Sequence, residues 1–212
     1  MDRIEKAICK ALLPTLQLHG FELHKEWGYF VRKQAYGFDA LLVVNQGTAK
    51  GRFFEIKCHA EIRHDHIEVP WNTLGLVYGE DNQQQTWTLL YKDLAGRNAE
   101  PMKVVPESMA ADVAHVSQQV AELFVHMALP FYARFADLRE VEEWVNKTPL
   151  ADANPTAGGP MEDRAFHALL LAKAVNPSRY ASIREAFITL DQGMFPRDKR
   201  MAMLQRVDEI QL

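Results

Sequence analysis

Ile4, Ile8, Leu12 and Leu16 recur every four residues near the start of the chain, with Ala7 and Ala11 beside them. An apolar stripe at this spacing predicts an amphipathic helix, and Gly20 supplies its stop. Pro14 falls inside the pattern, so a kink or an early end near Leu13 is expected. From Phe21 the period changes. "WGYFVRKQ", "FDALLVVN" and "RFFEIKCHAEI" are rich in aromatic and β-branched residues and are broken by Gly28, Gly37, Gly47 and Gly51. They predict strands over 27–34, 38–45 and 53–62, and "TWTLLYK" predicts a fourth over 86–92. Short connections between consecutive strands favour an antiparallel meander. "RHDHIEVPWNTLGL" has no clean period and reads as a loop with one helical turn.

Residues 93–105 read as a second loop. Beyond Pro106, at a first helical position, Met109, Val113, Val116, Val120, Leu123 and Met127 alternate spacings of four and three. This predicts a long central helix, ended or bent at Pro130, with its stripe across one sheet face. Asp137 and Glu140 then open a shorter helix through "LREVEEWVN". "KTPLADANPTAGGPMED" reads as a linker, and three short helical patterns follow it. The expected fold class is therefore α+β: an antiparallel meander sheet packed by an N-terminal helix and a long central helix, with a helical C-terminal extension. The expected division is an α+β domain over 1–146, a linker over 147–163 and a helical extension over 164–212. Phe166, Leu169, Phe187 and Leu204 of the extension need a surface to bury on, and the α/β body is the expected one.

Composition narrows the function classes. The 212 residues are 48% hydrophobic and 25% charged, with a net charge of −4. A grip on nucleic-acid phosphates calls for a basic surplus or stripe. The richest basic stretch is "PRDKR", so the balance argues against a nucleic-acid partner. Cys9 and Cys58 fall in core-like segments and read as buried thiols. The N-terminus lacks a signal-peptide apolar core, and no run approaches membrane-spanning length, so the cytoplasm is the expected location.

Asp39 followed by Glu55-x-Lys57 has the order of a Mg²⁺-dependent nuclease hairpin of the restriction-endonuclease-like type. Two carboxylates on neighbouring strands can hold one Mg²⁺ while a Lys positions the attacking water. Pairing Phe38 with Cys58 and Ala40 with Ile56 would stack an apolar face and leave Asp39 across from Lys57 on the other. The same residues equally describe the polar side of a half-buried strand, with Glu55, Lys57, Glu61 and Arg63 as its exposed charges. His64 and His66, with Cys58 and His59 nearby, form a second metal-ligand candidate whose spacing fits no closed zinc pattern. His115, His126 and His167 sit singly in helical patterns and read as hydrogen-bonded side chains. Trp27, Tyr29, Trp71 and Trp87 are the aromatics a recognition face would use, or the core would bury.

"HGF" at 19–21, "YFVR" at 29–32 and "LPFYARFADLREVEEW" at 129–144 resemble an uncharacterised bacterial family, domain of unknown function 4304, over residues 4–146. The resemblance implies a layer of helices on an antiparallel sheet. It also implies a bias toward binding, since such families are often suspected to be immunity or accessory proteins of toxin systems. The expected function is that of a protein-binding domain, immunity-like or accessory, without catalysis or cofactor. An acidic strand face carrying Glu55, Lys57, Glu61 and Arg63 would suit a basic protein partner. The alternatives are the Mg²⁺ nuclease and a structural domain whose tail mediates oligomerisation.

Overall fold

The computed structural model describes residues 1–24, 28–47, 52–73, 87–89, 96, 100–147, 161–189 and 197–212; for 87–89, 161–165 and 199–200 it describes the backbone alone. Two compact units emerge. The first joins residues 1–62 to 89–133, and the second joins 63–88 to 134–212. This grouping differs from a division at the 147–163 linker: chain on both sides of that linker contributes to the second unit.

The first unit opens with α1 (Arg3–Gln17). The Asp2 carboxylate accepts from the N–H groups of Ile4 and Glu5, both at 2.8 Å. Glu5 accepts the Asp2 N–H in return at 2.8 Å, which completes a capping box. Pro14 does not end the helix. It lies on the exposed side with Lys10, the residue whose carbonyl it leaves without a helical donor, so water can serve that oxygen. Ile4, Ile8, Cys9, Leu12 and Leu16 are buried, as the spacing predicts.

The sheet is the antiparallel meander expected, with strand order β1-β2-β3-β4-β5 and β6 also paired to β4. Its strands are β1 (Glu22–His24), β2 (Tyr29–Gln34), β3 (Gly37–Asn45), β4 (Phe54–His64), β5 (Trp87–Leu89) and β6 (Met102–Val104). β1 and β6 are additions to the sequence reading, and β6 lies inside the stretch read as loop. β1 pairs β2 with Leu23 opposite Phe30, and β2 pairs β3 with Arg32 opposite Asp39.

The central helix runs as α3 (Met109–Leu123), a π turn (Phe124–Ala128) and α4 (Leu129–Phe135). Pro130 explains the interruption. It has no N–H to give its helical acceptor and would crowd that carbonyl, so the helix widens and the Leu129 N–H reaches back five residues to the Phe124 carbonyl. One extra residue in the turn rotates the following side chains by about 100°. The buried stripe therefore continues through Phe124, Ala128 and Tyr132, while Met127, which the spacing puts in the stripe, is 40% exposed. Phe21 packs edge-on against Phe124 at 5.2 Å. The Tyr132 hydroxyl donates to the Ala40 carbonyl at 2.6 Å, which pins α4 to β3.

The second unit contains α2 (Asp65–Thr73), α5 (Leu138–Asn146), α6 (Met161–Val175), α7 (Pro177–Ile188) and α8 (Arg197–Glu209). α2, of nine residues, extends the single helical turn expected in that loop. The Asp137 side chain caps α5 through the Arg139 N–H at 2.9 Å. Residues 166–172 of α6 are buried without a break, as for a helix surrounded on all sides. Within this unit Trp71 of α2 packs on Phe166 at 6.1 Å, and Phe166 meets Phe187 of α7 edge-on at 4.8 Å. Lys173 holds the end of α8 by donating to the carbonyls of Val207 and Asp208 at 2.8 and 2.7 Å.

Among the described residues, no helix is long and apolar enough to cross a membrane.

Candidate functional site

β3 is apolar in both of its alternating sets, and the set that turns to the deepest core is Asp39, Leu41 and Val43. This reverses the expectation that Asp39 faces outward. The Gln46 N–H donates to the Glu55 carbonyl at 2.9 Å in the β3–β4 connection. Continued along the hairpin with two-residue alternation, that bond puts Asp39 on the same face as Ile56 and Cys58, and Glu55 with Lys57 on the other. Asp39 therefore does not sit across from Lys57 or share a face with Glu55.

Asp39 is fully buried and richly supplied with donors. Arg32 Nε and Nη2 reach its Oδ2 at 3.0 and 2.8 Å, and Gln34 Nε2 joins them at 3.1 Å. The Tyr36 hydroxyl donates to Oδ1 at 2.6 Å. The Arg32 guanidinium also donates to the His19 carbonyl at 3.3 Å and lies 4.8 Å from the centre of the Phe21 ring. Burial first, then the hydrogen bond and charge of Asp39, push the Tyr36 hydroxyl above its ordinary pKa and hold it as a donor. A carboxylate taken out of water persists when a guanidinium and neutral donors fill its lone pairs, and all of them come from one hairpin here. A metal on Asp39 would compete with the guanidinium for the same oxygens.

Glu55 and Lys57 pair with each other along the strand at 3.1 Å and are partly exposed. Lys103 of β6 stands opposite Glu55 in the register, with its ammonium 5.1 Å from the centre of the Phe53 ring. Glu61 and Arg63, expected as exposed charges of this strand face, are both buried at 7%. Arg63 Nε is held by Asp65 at 2.6 Å. Burial raises the Glu61 carboxyl to about 8, and among the described residues its Oε2 has no hydrogen-bond partner. His59 is depressed by burial and then by Lys57.

His64 and His66 diverge. His64 ends β4, buried, with Nε2 at 2.8 Å from the Phe135 carbonyl, whereas His66 lies exposed in the first turn of α2. Among the described residues no group of three or more His, Cys, Asp or Glu side chains is placed to hold a metal ion. Trp71 is a core residue, its ring 4.2 Å from that of His167. Trp27 and the Trp87 side chain lie outside the described residues.

One arrangement escaped the sequence reading. Trp144 of α5 is 41% exposed, although it lies next to the buried Val145. Phe135 meets its ring edge-on at 6.0 Å, and the Arg134 guanidinium lies 5.1 Å from its centre. Glu140 fixes that guanidinium at 3.1 Å. A large aromatic is thus held from two sides and presents much of its surface to solvent. The spacing gave no signal for it: Val141, Trp144 and Val145 fall at i, i+3 and i+4, which reads as one apolar face, whereas the buried side of the helix is Val141, Glu142, Val145 and Asn146. Comparison with known proteins adds no template for either site: no protein-family model, curated protein or solved structure matches the chain.

Proposed function

We propose that the chain is a cytoplasmic, bacterial protein-binding domain, immunity-like or accessory in role and without catalysis of its own. The observation that supports this reading is Trp144 with Arg134 stacked against it. Trp and Arg dominate the energetics of protein interfaces, and a side chain held in place before binding loses little entropy on docking. The use of Asp39 as the centre of an internal hydrogen-bond cluster is consistent with it.

The test is enrichment of partners from the native host on the full chain, compared with Trp144→Ala. A specific partner lost from the variant, with circular dichroism unchanged, supports the proposal. Equal recovery on both proteins would overturn Trp144 as the anchor. Mg²⁺-dependent nucleic-acid cleavage that disappears in Glu55→Ala would overturn the non-catalytic reading.

A further inference from the structure

On the sheet face opposite the Arg32–Asp39 cluster, a cleft of about 430 Å³ opens where the chain enters β1. It is lined by Gly20, Glu22, Leu23, His24, Val31 and Lys33. The strand register explains the grouping. Glu22 stands opposite Val31 and His24 opposite Tyr29, so Glu22, His24, Val31 and Lys33 alternate onto one face. Gly20, at a φ of +80°, contributes no side chain beside them. The cleft falls at the small end of the range that small-molecule sites occupy.

Its charges are the informative part. Glu22 and Lys33 have opposite signs, line the same cleft and form no ion pair with each other among the described residues. The half-buried Val31 stands directly opposite Glu22 and two residues before Lys33, so the two charges are diagonal neighbours flanking it on one face. A simple anion would meet Lys33 but be repelled by Glu22, and a simple cation would face the reverse. A molecule carrying both charges a few ångströms apart satisfies both walls.

We propose that this cleft binds a small zwitterion of the α-amino-acid class. Lys33 takes the carboxylate, Glu22 takes the ammonium group and Val31 meets a short apolar side chain. This site is independent of Trp144, and either proposal can fail alone. Affinity on the order of 1 mM is what a ligand of about nine non-hydrogen atoms reaches at ordinary efficiency.

The test is a titration of the isotope-labelled full chain, read by amide chemical shifts, with L-leucine, N-acetyl-leucine and leucinamide as probes. Leucine is expected to give saturable shifts around Glu22 and Val31, with each blocked analogue at least tenfold weaker. Lys33→Met should abolish leucine binding, and Glu22→Gln should weaken it about tenfold, the loss of one charge-assisted contact. Both side chains are exposed, so the variants should keep the wild-type spectrum elsewhere. No saturable shift by 20 mM leucine, or blocked analogues that bind as well as leucine, would overturn the proposal.

Discussion

Glu61→Gln tests the most quantitative feature of the first unit. The Glu61 carboxyl is 7% exposed, and burial raises it from an ordinary 4.5 to about 8. The folded state thus holds this proton more tightly than the unfolded chain. The contribution of Glu61 to stability is fully present below about pH 4.5, declines as pH rises and is lost once pH passes 8. Each unit of separation is worth about 1.4 kcal/mol, so the loss between pH 5 and 8 is about 3–4 kcal/mol. The measurement is urea unfolding at half-unit pH steps, with hydrogen exchange of the β4 amides reporting the first unit. At an m of about 2 kcal/mol/M, the wild-type midpoint should fall by roughly 1–2 M over that interval relative to the variant. Gln cannot ionise, so its profile lacks this component. Its amide can lower stability at every pH by leaving a donor unpaired, which makes the slope the readout and not the level. Parallel profiles for the two proteins would refute the assignment of Glu61 as a carboxyl that is protonated at neutral pH.

Arg32→Met removes the guanidinium that neutralises Asp39 and leaves a buried carboxylate with Gln34 and Tyr36 alone. A loss of about 3–5 kcal/mol in chemical denaturation is expected, and a loss under 1 kcal/mol would contradict the cluster's role. Trp144→Ala should keep the circular dichroism spectrum, lower the melting temperature through loss of the edge-on contact with Phe135, and weaken a partner by at least roughly thirtyfold in a binding titration. Burial raises the thiols of Cys9 and Cys58 to about 11 and about 12, and both are inaccessible. Neither should react with a thiol reagent at pH 8 until denaturant is added; rapid labelling of the native protein would refute their placement.

The sequence reading reached the fold where periodicity was long enough to be unambiguous. α1 and the ladder from β2 to β4 carry several repeats of one period, and their placement followed from it. β1 and β6 span three residues each, too few for alternation to register. α2 buries only Ile67, Glu68 and Trp71 and contains Pro70, so its helical period was faint. Asp39 was assigned to the wrong side because "GFDALLVVN" has apolar residues in both alternating sets. Pattern alone cannot choose between such faces; the deciding fact is that Arg32 stands opposite Asp39 and can neutralise it in the core. Glu61 and Arg63 failed for a related reason, since β4 becomes buried on both faces beyond Ala60. The Leu123-to-Met127 step was legible as helix but not as a π turn, which depends on how Pro130 is accommodated.

Each compact unit is assembled from two separate stretches of chain, and this sets an order of events during synthesis. The first unit has all its residues once position 133 has left the ribosome. α2, with Trp71, is made well before that point, yet its packing partners Phe166 and His167 come much later. For roughly a hundred residues of elongation, on the order of 5–20 s, Trp71 awaits the helices that will enclose it. Chaperone demand should therefore peak after position 133 has emerged, and a ribosome stalled between that point and the emergence of Phe166 should carry a folded first unit beside an exposed α2.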